Sequence, residues 1–317
     1  MANLLSEAAN EISIQLELAM LLEVSAYPKP GNVHRTRDYS NTKFEHYLAS
    51  AVASRSCFET AARKGMLISR RKCLPQEAYV GRTIRDAAIR MIHSQRGGNT
   101  SLGTLTLLVP LAVAAGMTFN QRQLSLQRLR YNLSRVLRST TVADTLAFHE
   151  AVIRAKPGGL GRSPHLDFRD PASRKEILRG KFGLLDVFRL AADWDSICSE
   201  WTTNYSTTFE LGYPYFRREL MKADDLNAAI VNTYLMILSE KPDTLIARKA
   251  GTRKAKWVSN RAKKTLAVGG SRTIAGRREI DRLDDDLGRD GNLLNPGATA
   301  DISAAVVALA TLSGYRP

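Results

Sequence analysis

The feature that most constrains this chain is an apolar run of sixteen residues from Leu102 to Met117. The run contains Thr104, Thr106 and Pro110 but no charged residue. It is shorter than the roughly 20 residues that a helix needs to cross a bilayer. It therefore predicts a buried central helix with other helices packed around it, in which Pro110 kinks the helix or ends its first half.

The rest of the chain shows the spacing of core-facing helices. Apolar residues recur at helical intervals, whereas the alternation typical of strands is scarce. With 44% hydrophobic residues in a chain of 317, there is enough apolar material for a substantial core. We predict an all-α protein, one compact multi-helix domain over residues 1–317. The other helical segments are 4–26, 44–69, 76–94, 143–155, 184–209, 223–239 and 299–312.

Cysteine usage and the N-terminal sequence predict a cytoplasmic protein. The three cysteines are odd in number and lack C-x-x-C spacing, which argues against a disulfide framework and a cysteine zinc site. The first fifteen residues carry acidic side chains where a signal peptide needs basic ones. We therefore expect no export and no membrane partner.

The charge of the chain favours anionic partners. Forty-six Lys and Arg residues against 31 Asp and Glu leave a net charge of +15. The segment 248–278 holds eleven basic residues and no acidic one, which predicts a basic, mobile insertion. The net positive charge suits nucleic acid, a nucleotide triphosphate, a CoA-like molecule or an anionic membrane surface, and it does not choose between them.

The first candidate site is a loop stiffened by two prolines after the first helical segment. Pro28 and Pro30 restrict the backbone on either side of Lys29. A rigid loop that presents this cation, the amide of Asn32 and the imidazole of His34 suits a phosphate or a sugar. The alternative is a helix-terminating turn with solvated side chains, and the sequence leaves both interpretations open.

A second candidate is the turn before the central helix, where Asn99, Thr100 and Ser101 follow two glycines. Thr100 or Ser101 can cap the helix, and the free N–H groups at its start can receive an anion. The required Gly-Lys-Ser/Thr is missing, so this is not a Walker A loop. Capping alone is the favoured alternative.

Two carboxylates precede or begin helical segments in the C-terminal half. Asp243 can cap a short helix whose next turn carries Arg248, and the pair could bind a metal–phosphate complex. Asp301 lies in the first turns of the last helix, where the helix dipole favours an acid. Gly297 ahead of it lets a ligand approach the backbone. In each case a purely structural acid is the alternative.

Four further aspartates resemble a carboxylate cluster for Mg²⁺, namely Asp281, Asp284, Asp285 and Asp286. Charge balance for the neighbouring basic run is the favoured interpretation. The five histidines include no H-x-x-x-H pair, so a zinc hydrolase is poorly supported.

Taken in order, four of these motifs resemble the triphosphoribosyl-dephospho-CoA synthase family over nearly the whole chain, from about residue 10 to residue 312. The segment 34–44 and the basic run depart from the family's pattern, which leaves room for a related alcohol as acceptor. The motifs are EVSAYPKPG at 23–31, GNT at 98–100, Asp243-Thr244 with Arg248 and Gly251, and PGATAD at 296–301.

The resemblance implies an all-helical transferase that moves the triphosphoribosyl group of ATP to the 2′-hydroxyl of 3′-dephospho-CoA and releases adenine. The product is a precursor of a prosthetic group. Cleavage of the N-glycosidic bond passes through an oxocarbenium-like state, which calls for a cationic clamp with Mg²⁺, an acid for the adenine and a base for the hydroxyl. The alternative function is a basic helical protein that binds nucleic acid, although no recognised module supports it.

On this resemblance each candidate residue receives a role. We expect Lys29, Asn32, Arg248, Gly297 and the N–H groups of Asn99, Thr100 and Ser101 to bind substrate and its phosphates. Asp243 and Asp301 are the candidates for Mg²⁺ and for general-base catalysis, with Glu23 third. His34 or Asp38 would address the adenine or the acceptor.

Overall fold

The computed structural model describes residues 2–119, 124–160 and 166–317, and these form fifteen α-helices. Within these ranges the structure has no β-strand, so the all-α prediction is confirmed. The helices are α1 (Ala2–Ser25), α2 (Phe44–Ser69), α3 (Val80–His93), α4 (Leu102–Thr118), α5 (Leu126–Arg138), α6 (Val142–Ala155), α7 (Ser173–Gly180), α8 (Leu184–Ala191), α9 (Ser196–Thr202), α10 (Tyr213–Ala223), α11 (Leu226–Glu240), α12 (Thr244–Ala250), α13 (Thr252–Ala267), α14 (Ile274–Gly288) and α15 (Gly297–Leu312).

Helix α4 is the central helix that the apolar run predicts. It packs against α1, α2, α3, α5 and α15, and nearly all its side chains are buried. Two glycines allow α2 to approach it closely. A Cβ atom at Gly65 would lie 2.0 Å from the carbonyl oxygen of Val113, and one at Gly116 would lie 2.1 Å from that of Ala62. Larger residues at these two positions would therefore push α2 and α4 apart.

Pro110 does not end the first half of α4, because the helix continues unbroken to Thr118. A proline has no N–H, so the carbonyl four residues earlier, that of Thr106, loses its helical partner. The indole Nε1 of Trp201 donates to this carbonyl at 3.1 Å. The phenol of Tyr205 donates to the next carbonyl, that of Leu107, at 2.9 Å. The neighbouring helix α9 and the turn after it thus compensate for the proline.

The segment predicted as an insertion, 248–278, is helical. It comprises the end of α12, all of α13 and the start of α14, with a short 3₁₀ turn between the last two. Helix α13 packs on α11, α12 and α14, and its residues Ala255, Val258 and Ala262 are buried. The basic run therefore belongs to the packed body of helices rather than to a separate loop.

None of the helices in the described ranges has both the length and the apolar character that a membrane span requires.

Candidate active site

A cavity of about 480 Å³ opens between α1, α4, α6, α8, α9, α12 and α15. Most of the residues predicted for the site line it, although they come from four distant parts of the chain. Four predicted residues, Lys29, His34, Asp38 and Asp243, do not line it. Those that do are Glu23, Asn32, Asn99, Thr100, Ser101, Arg248, Gly297 and Asp301.

The proline loop between α1 and α2 is fixed from three sides. The backbone N–H of Gly31 donates to Asp284 Oδ1 at 2.8 Å, and its carbonyl accepts from the hydroxyl of Tyr39 at 2.7 Å. The carbonyl of Pro30 accepts from the hydroxyl of Tyr234 at 2.7 Å. Gly31 has a φ of +76°, a conformation that favours glycine. These bonds hold the loop rigidly at the cavity wall.

Lys29 lies behind the cavity wall, where it supports a carboxylate. Its side chain is 1% exposed, and the ammonium donates to Glu23 in a buried ion pair. Burial lowers the pKa of Lys29, while the charges of Glu23 and Asp301 oppose that effect. Lys29 therefore anchors Glu23 and lies close to Asp301, and the predicted direct contact with phosphate is not what this geometry favours.

Asp301 faces the cavity from the first turns of α15. Its carboxylate accepts a hydrogen bond from the hydroxyl of Thr104 at the start of α4. A Cβ atom at Gly103 would lie 2.0 Å from Asp301 Oδ2, so the glycine is required for this approach. Burial, opposed by the bond from Thr104 and assisted by the neighbouring charge of Glu23, raises the pKa of Asp301 to about 7. Asp301 can therefore gain and lose a proton near neutral pH. We call Glu23 and Asp301 the carboxylate pair.

Tyr47 of α2 also faces the carboxylate pair, and the motifs did not predict it. Burial raises the pKa of its phenol, and the charges of Glu23 and Asp301 raise it further. It therefore stays protonated and can donate a hydrogen bond into the cavity. Tyr47 and Thr104 lie outside every motif, and the only signal in the sequence is that Thr104 is a polar residue within the apolar run.

The turn before α4 contributes polar groups to the same wall. The side chain of Asn99, rather than Thr100 or Ser101, caps the helix by accepting from the N–H of Leu102 at 3.0 Å. The hydroxyl of Thr100 is 2.8 Å from that of Ser50. All three predicted residues line the cavity, so the turn presents hydroxyl and amide groups to a ligand.

A second part of the wall carries positive charge. Arg248 and Lys249 of α12 and Lys156 after α6 line the cavity together. The backbone of Gly158 and Gly159 packs on the side chains of Lys249 and Arg248, which keeps these elements adjacent. Burial lowers the pKa of Lys249, whose ammonium donates to the carbonyl of Asn292 at 3.0 Å. We call Lys156, Arg248 and Lys249 the cationic wall; the motifs predicted only Arg248.

Two buried polar atoms in this region have no hydrogen-bond partner among the described residues. Arg248 donates through Nη1 to Asp195 Oδ2 at 2.6 Å, but its Nε is unpaired. Oδ1 of Asn295 is unpaired as well. Because buried polar atoms are normally paired, a donor and an acceptor left free in a cavity wall indicate a polar ligand there.

Asp243 forms a structural connection between two helices. Its Oδ1 accepts from the N–H groups of Leu245 and Ile246 at 2.8 and 3.0 Å, which caps α12. Its Oδ2 accepts from the N–H and the hydroxyl of Thr299, both at 2.8 Å, which ties α12 to α15. Both oxygens are occupied, so the geometry gives this carboxylate no free lone pair toward the cavity.

His34 also faces away from the cavity. It is 2% exposed, and its Nε2 is 3.5 Å from Asp284 Oδ2. Asp284 also pairs with Arg37, and these contacts join the proline loop to α14. The carboxylate of Asp38 accepts from the N–H of Phe44 at 2.8 Å, before α2. In the structure these residues fix the loop.

The acidic cluster is dispersed along α14. Asp286 pairs with Arg261 at 2.9 Å, Asp284 binds the proline loop, and Asp281 is exposed. Across the described ranges no three His, Cys, Asp or Glu side chains converge as a metal site. Among the described residues, only the pair of Asp286 with Arg261 joins this cluster to the basic run, as the charge-balance interpretation predicts.

Apolar and aromatic side chains from α6, α8 and α9 line much of the remaining part of the cavity, and no motif predicted them; Asp167, Trp194, Asp195 and Cys198 also line the cavity. Phe188 stacks edge-to-face on Phe148, with ring centroids 5.1 Å apart, and on Trp201, at 4.7 Å. We call this surface the aromatic lobe. It consists of Phe148, Val152, Val187, Phe188, Ala191 and Ile197.

Comparison with known proteins places these observations in one family. The family model described as ATP:dephospho-CoA triphosphoribosyl transferase matches residues 9–317. A Pseudomonas fluorescens Pf-5 protein named as a 2-(5″-triphosphoribosyl)-3′-dephosphocoenzyme-A synthase is 25% identical, over 92% of this chain and 87% of its own. The synthase of that name from Klebsiella pneumoniae is 22% identical, over 94% and 89%.

A solved structure shares the fold. It is that of an Archaeoglobus fulgidus protein named as a triphosphoribosyl-dephospho-CoA synthase. The TM-score is 0.60 at 22% sequence identity, and the match covers 85% of this chain and all of the other.

Proposed function

This chain belongs to the ATP:dephospho-CoA triphosphoribosyl transferase family, and we propose that the cavity is where it transfers the triphosphoribosyl group of ATP to the 2′-hydroxyl of 3′-dephospho-CoA. The bond between C1′ and adenine breaks, C1′ bonds to the acceptor oxygen, and the hydroxyl proton is balanced by one that adenine gains. The observation that carries the proposal is that one cavity holds both the carboxylate pair and the cationic wall.

The cationic wall suits the triphosphate of the donor. Its positive charge comes from Lys156, Arg248 and Lys249. The Nε of Arg248 has no hydrogen-bond acceptor among the described residues. A guanidinium held by Asp195 is already oriented, so a phosphate oxygen can accept from it with little loss of side-chain freedom. The hydroxyl and amide groups of the turn before α4 complete this polar surface.

The carboxylate pair suits the two proton transfers. With a pKa of about 7, Asp301 is partly protonated at neutral pH and can protonate the departing adenine. Glu23, fixed by Lys29, is the carboxylate that would take the proton of the 2′-hydroxyl. The negative charge of Glu23, joined by that of Asp301 once its proton has been given up, also stabilises an oxocarbenium-like state, as carboxylates do in glycoside cleavage.

The residues predicted to hold Mg²⁺ do not fit that role. Each carboxylate oxygen of Asp243 already accepts two hydrogen bonds, Oδ1 from Leu245 and Ile246 and Oδ2 from Thr299. Asp301 lies beside Glu23, which is paired with Lys29, and across the described ranges no three His, Cys, Asp or Glu side chains converge as a metal site. We therefore assign no step to a metal held by these carboxylates, and any Mg²⁺ that arrives with ATP is part of the substrate.

The experiment is to measure adenine release from ATP by chromatography, with and without dephospho-CoA. We expect adenine to appear with dephospho-CoA, together with a product whose mass equals both substrates minus adenine. The D301N variant should lower kcat by about 10²- to 10⁴-fold, the usual contribution of one acid or base. The matched control is D281N, an exposed acid on α14.

Each outcome decides one part of the proposal. Failure of the native protein to release adenine with dephospho-CoA would overturn the assigned reaction. Full activity of the D301N variant would leave the reaction in place and overturn the role of Asp301. Equal transfer to a different alcohol would overturn dephospho-CoA as the specific acceptor.

A further inference from the structure

The aromatic lobe is a rigid apolar surface that the proposed proton transfers and phosphate contacts do not use. Phe188 is clamped between Phe148 and Trp201, and Trp201 is bonded to the backbone of α4 through Thr106. The rings are thus fixed before any ligand binds. Helix α8, which supplies Val187, Phe188 and Ala191, packs on α6 and α9. A preformed surface of this kind binds an apolar group without the entropic cost of ordering itself.

The chemistry of the two substrates limits what can occupy the lobe. Both adenines and both ribose rings lie within a few bonds of the reacting C1′ and 2′-oxygen, so they must sit near the carboxylate pair. The triphosphate and the diphosphate are anions, and the cationic wall suits them. One portion remains, the pantetheine arm of dephospho-CoA, which carries two methyl groups and several methylenes and ends far from the reacting atoms.

The six side chains of the lobe also disfavour an adenine ring. Adenine presents nitrogen donors and acceptors along its edge, and burial without partners is costly for each of them. The side chains that form the lobe carry no hydrogen-bonding atoms to pair with that edge. The methyl and methylene groups of the arm need no such partner, and each buried methylene contributes favourably. The two amides and the hydroxyl of the arm do need partners, and these must lie outside the six side chains of the lobe.

On the basis of the proposed function, we infer that the aromatic lobe binds the pantetheine arm and thereby selects dephospho-CoA over other adenosine-containing alcohols. The lobe acts on specificity, while the carboxylate pair acts on the chemistry. It follows that an acceptor with the same adenosine and diphosphate but a polar arm should bind poorly.

The first test compares two acceptors with the native protein. ADP-ribose keeps the adenosine 2′-hydroxyl and the diphosphate of dephospho-CoA but replaces the arm with a sugar. We expect its kcat/KM as an acceptor to be at least about tenfold lower, equivalent to about 1.4 kcal/mol. Equal kcat/KM values for the two acceptors would overturn the inference.

The second test fills the lobe. Ala191 lines the cavity at the end of α8, so the A191F variant places a ring where the arm would lie. The matched control is A192F at the next residue, which is similarly half-buried but does not line the cavity. Both variants are checked by circular dichroism and thermal unfolding before assay.

We expect the A191F variant to raise the KM for dephospho-CoA about tenfold and to leave the KM for ATP and the activity with ADP-ribose unchanged. The A192F control should match the native protein. A rise in the KM for ATP would instead place the donor adenine in the lobe, and no change in either KM would show that the lobe is unused. If the native protein transfers to no acceptor, the proposed function itself fails. If it transfers to dephospho-CoA and ADP-ribose equally well, only the inference about the aromatic lobe fails. Should A191F not fold, the ADP-ribose comparison still decides the inference.

Discussion

Replacing Asp301 by Asn should abolish most activity and yet stabilise the fold above neutral pH. The pKa of Asp301 in the folded protein is raised from 3.8 to about 7, so its ionised form is disfavoured by folding. That difference corresponds to about 4 kcal/mol at about 1.4 kcal/mol per pH unit. Asp301 faces a cavity that water can enter, and screening reduces the expected effect to about 2 kcal/mol.

The sign follows from linkage. A carboxyl whose pKa is raised on folding contributes stability that is present in full below its unfolded pKa and is lost as pH rises through the folded value. Asparagine is neutral throughout, so the D301N variant should unfold about 3 °C above the native protein at pH 8, given about 2.1 cal/mol/K of unfolding entropy for each of 317 residues. Near pH 4 the two should nearly coincide.

Thermal unfolding at pH 4 and pH 8, followed by circular dichroism, measures this difference. The same preparations are assayed for adenine release, whose rate in the native protein should fall as pH rises above about 7, because the acid must be protonated. A D301N variant that is less stable than the native protein at pH 8 would refute the reasoning. So would a stability difference that does not change with pH.

Three further changes should separate structural from functional residues. D243N should cost about 2–4 kcal/mol in urea unfolding, since an amide cannot accept all four hydrogen bonds and leaves buried donors unpaired. W201F should cost about 1–3 kcal/mol in the same assay, because the Thr106 carbonyl then has neither a helical partner nor the indole. R248A should raise the KM for ATP by about 10- to 100-fold through loss of a charge-assisted contact, while R253A, an exposed arginine on the next helix, should not.

The central helix and the all-α class could be predicted because they depend on local pattern. The apolar run from Leu102 to Met117 has too few polar residues to lie anywhere but inside, and helical spacing repeats through the rest. The effect of Pro110 could not be predicted, since the compensating donors, Trp201 and Tyr205, come from about a hundred residues away. The sequence near Pro110 predicts only that the Thr106 carbonyl loses its helical partner. It does not show that donors distant in the sequence allow the helix to continue.

The motifs located the cavity, but they did not give the direction of every side chain. Lys29, His34 and Asp243 belong to motifs that reach the cavity, and each side chain turns to a neighbouring carboxylate or backbone group instead. Spacing along the chain gives no direction for a side chain in a loop. The aromatic lobe escaped prediction for a related reason, because apolar residues such as Phe188 on an amphipathic helix look the same whether they face a core or a ligand.

Asp243 and Asp301 show what distinguishes a structural acid from a reactive one. The sequence offers the same interpretation for both, a carboxylate at a helix start. Burial raises the pKa of Asp243 as well, but four donors from three residues oppose that rise. In the described chain the hydrogen bonds to Asp301 come from Thr104, and Glu23 lies nearby with like charge. An acid that served only the fold would gain stability from more donors, so the poorly compensated carboxyl of Asp301 agrees with the proton-transfer role that we propose for it.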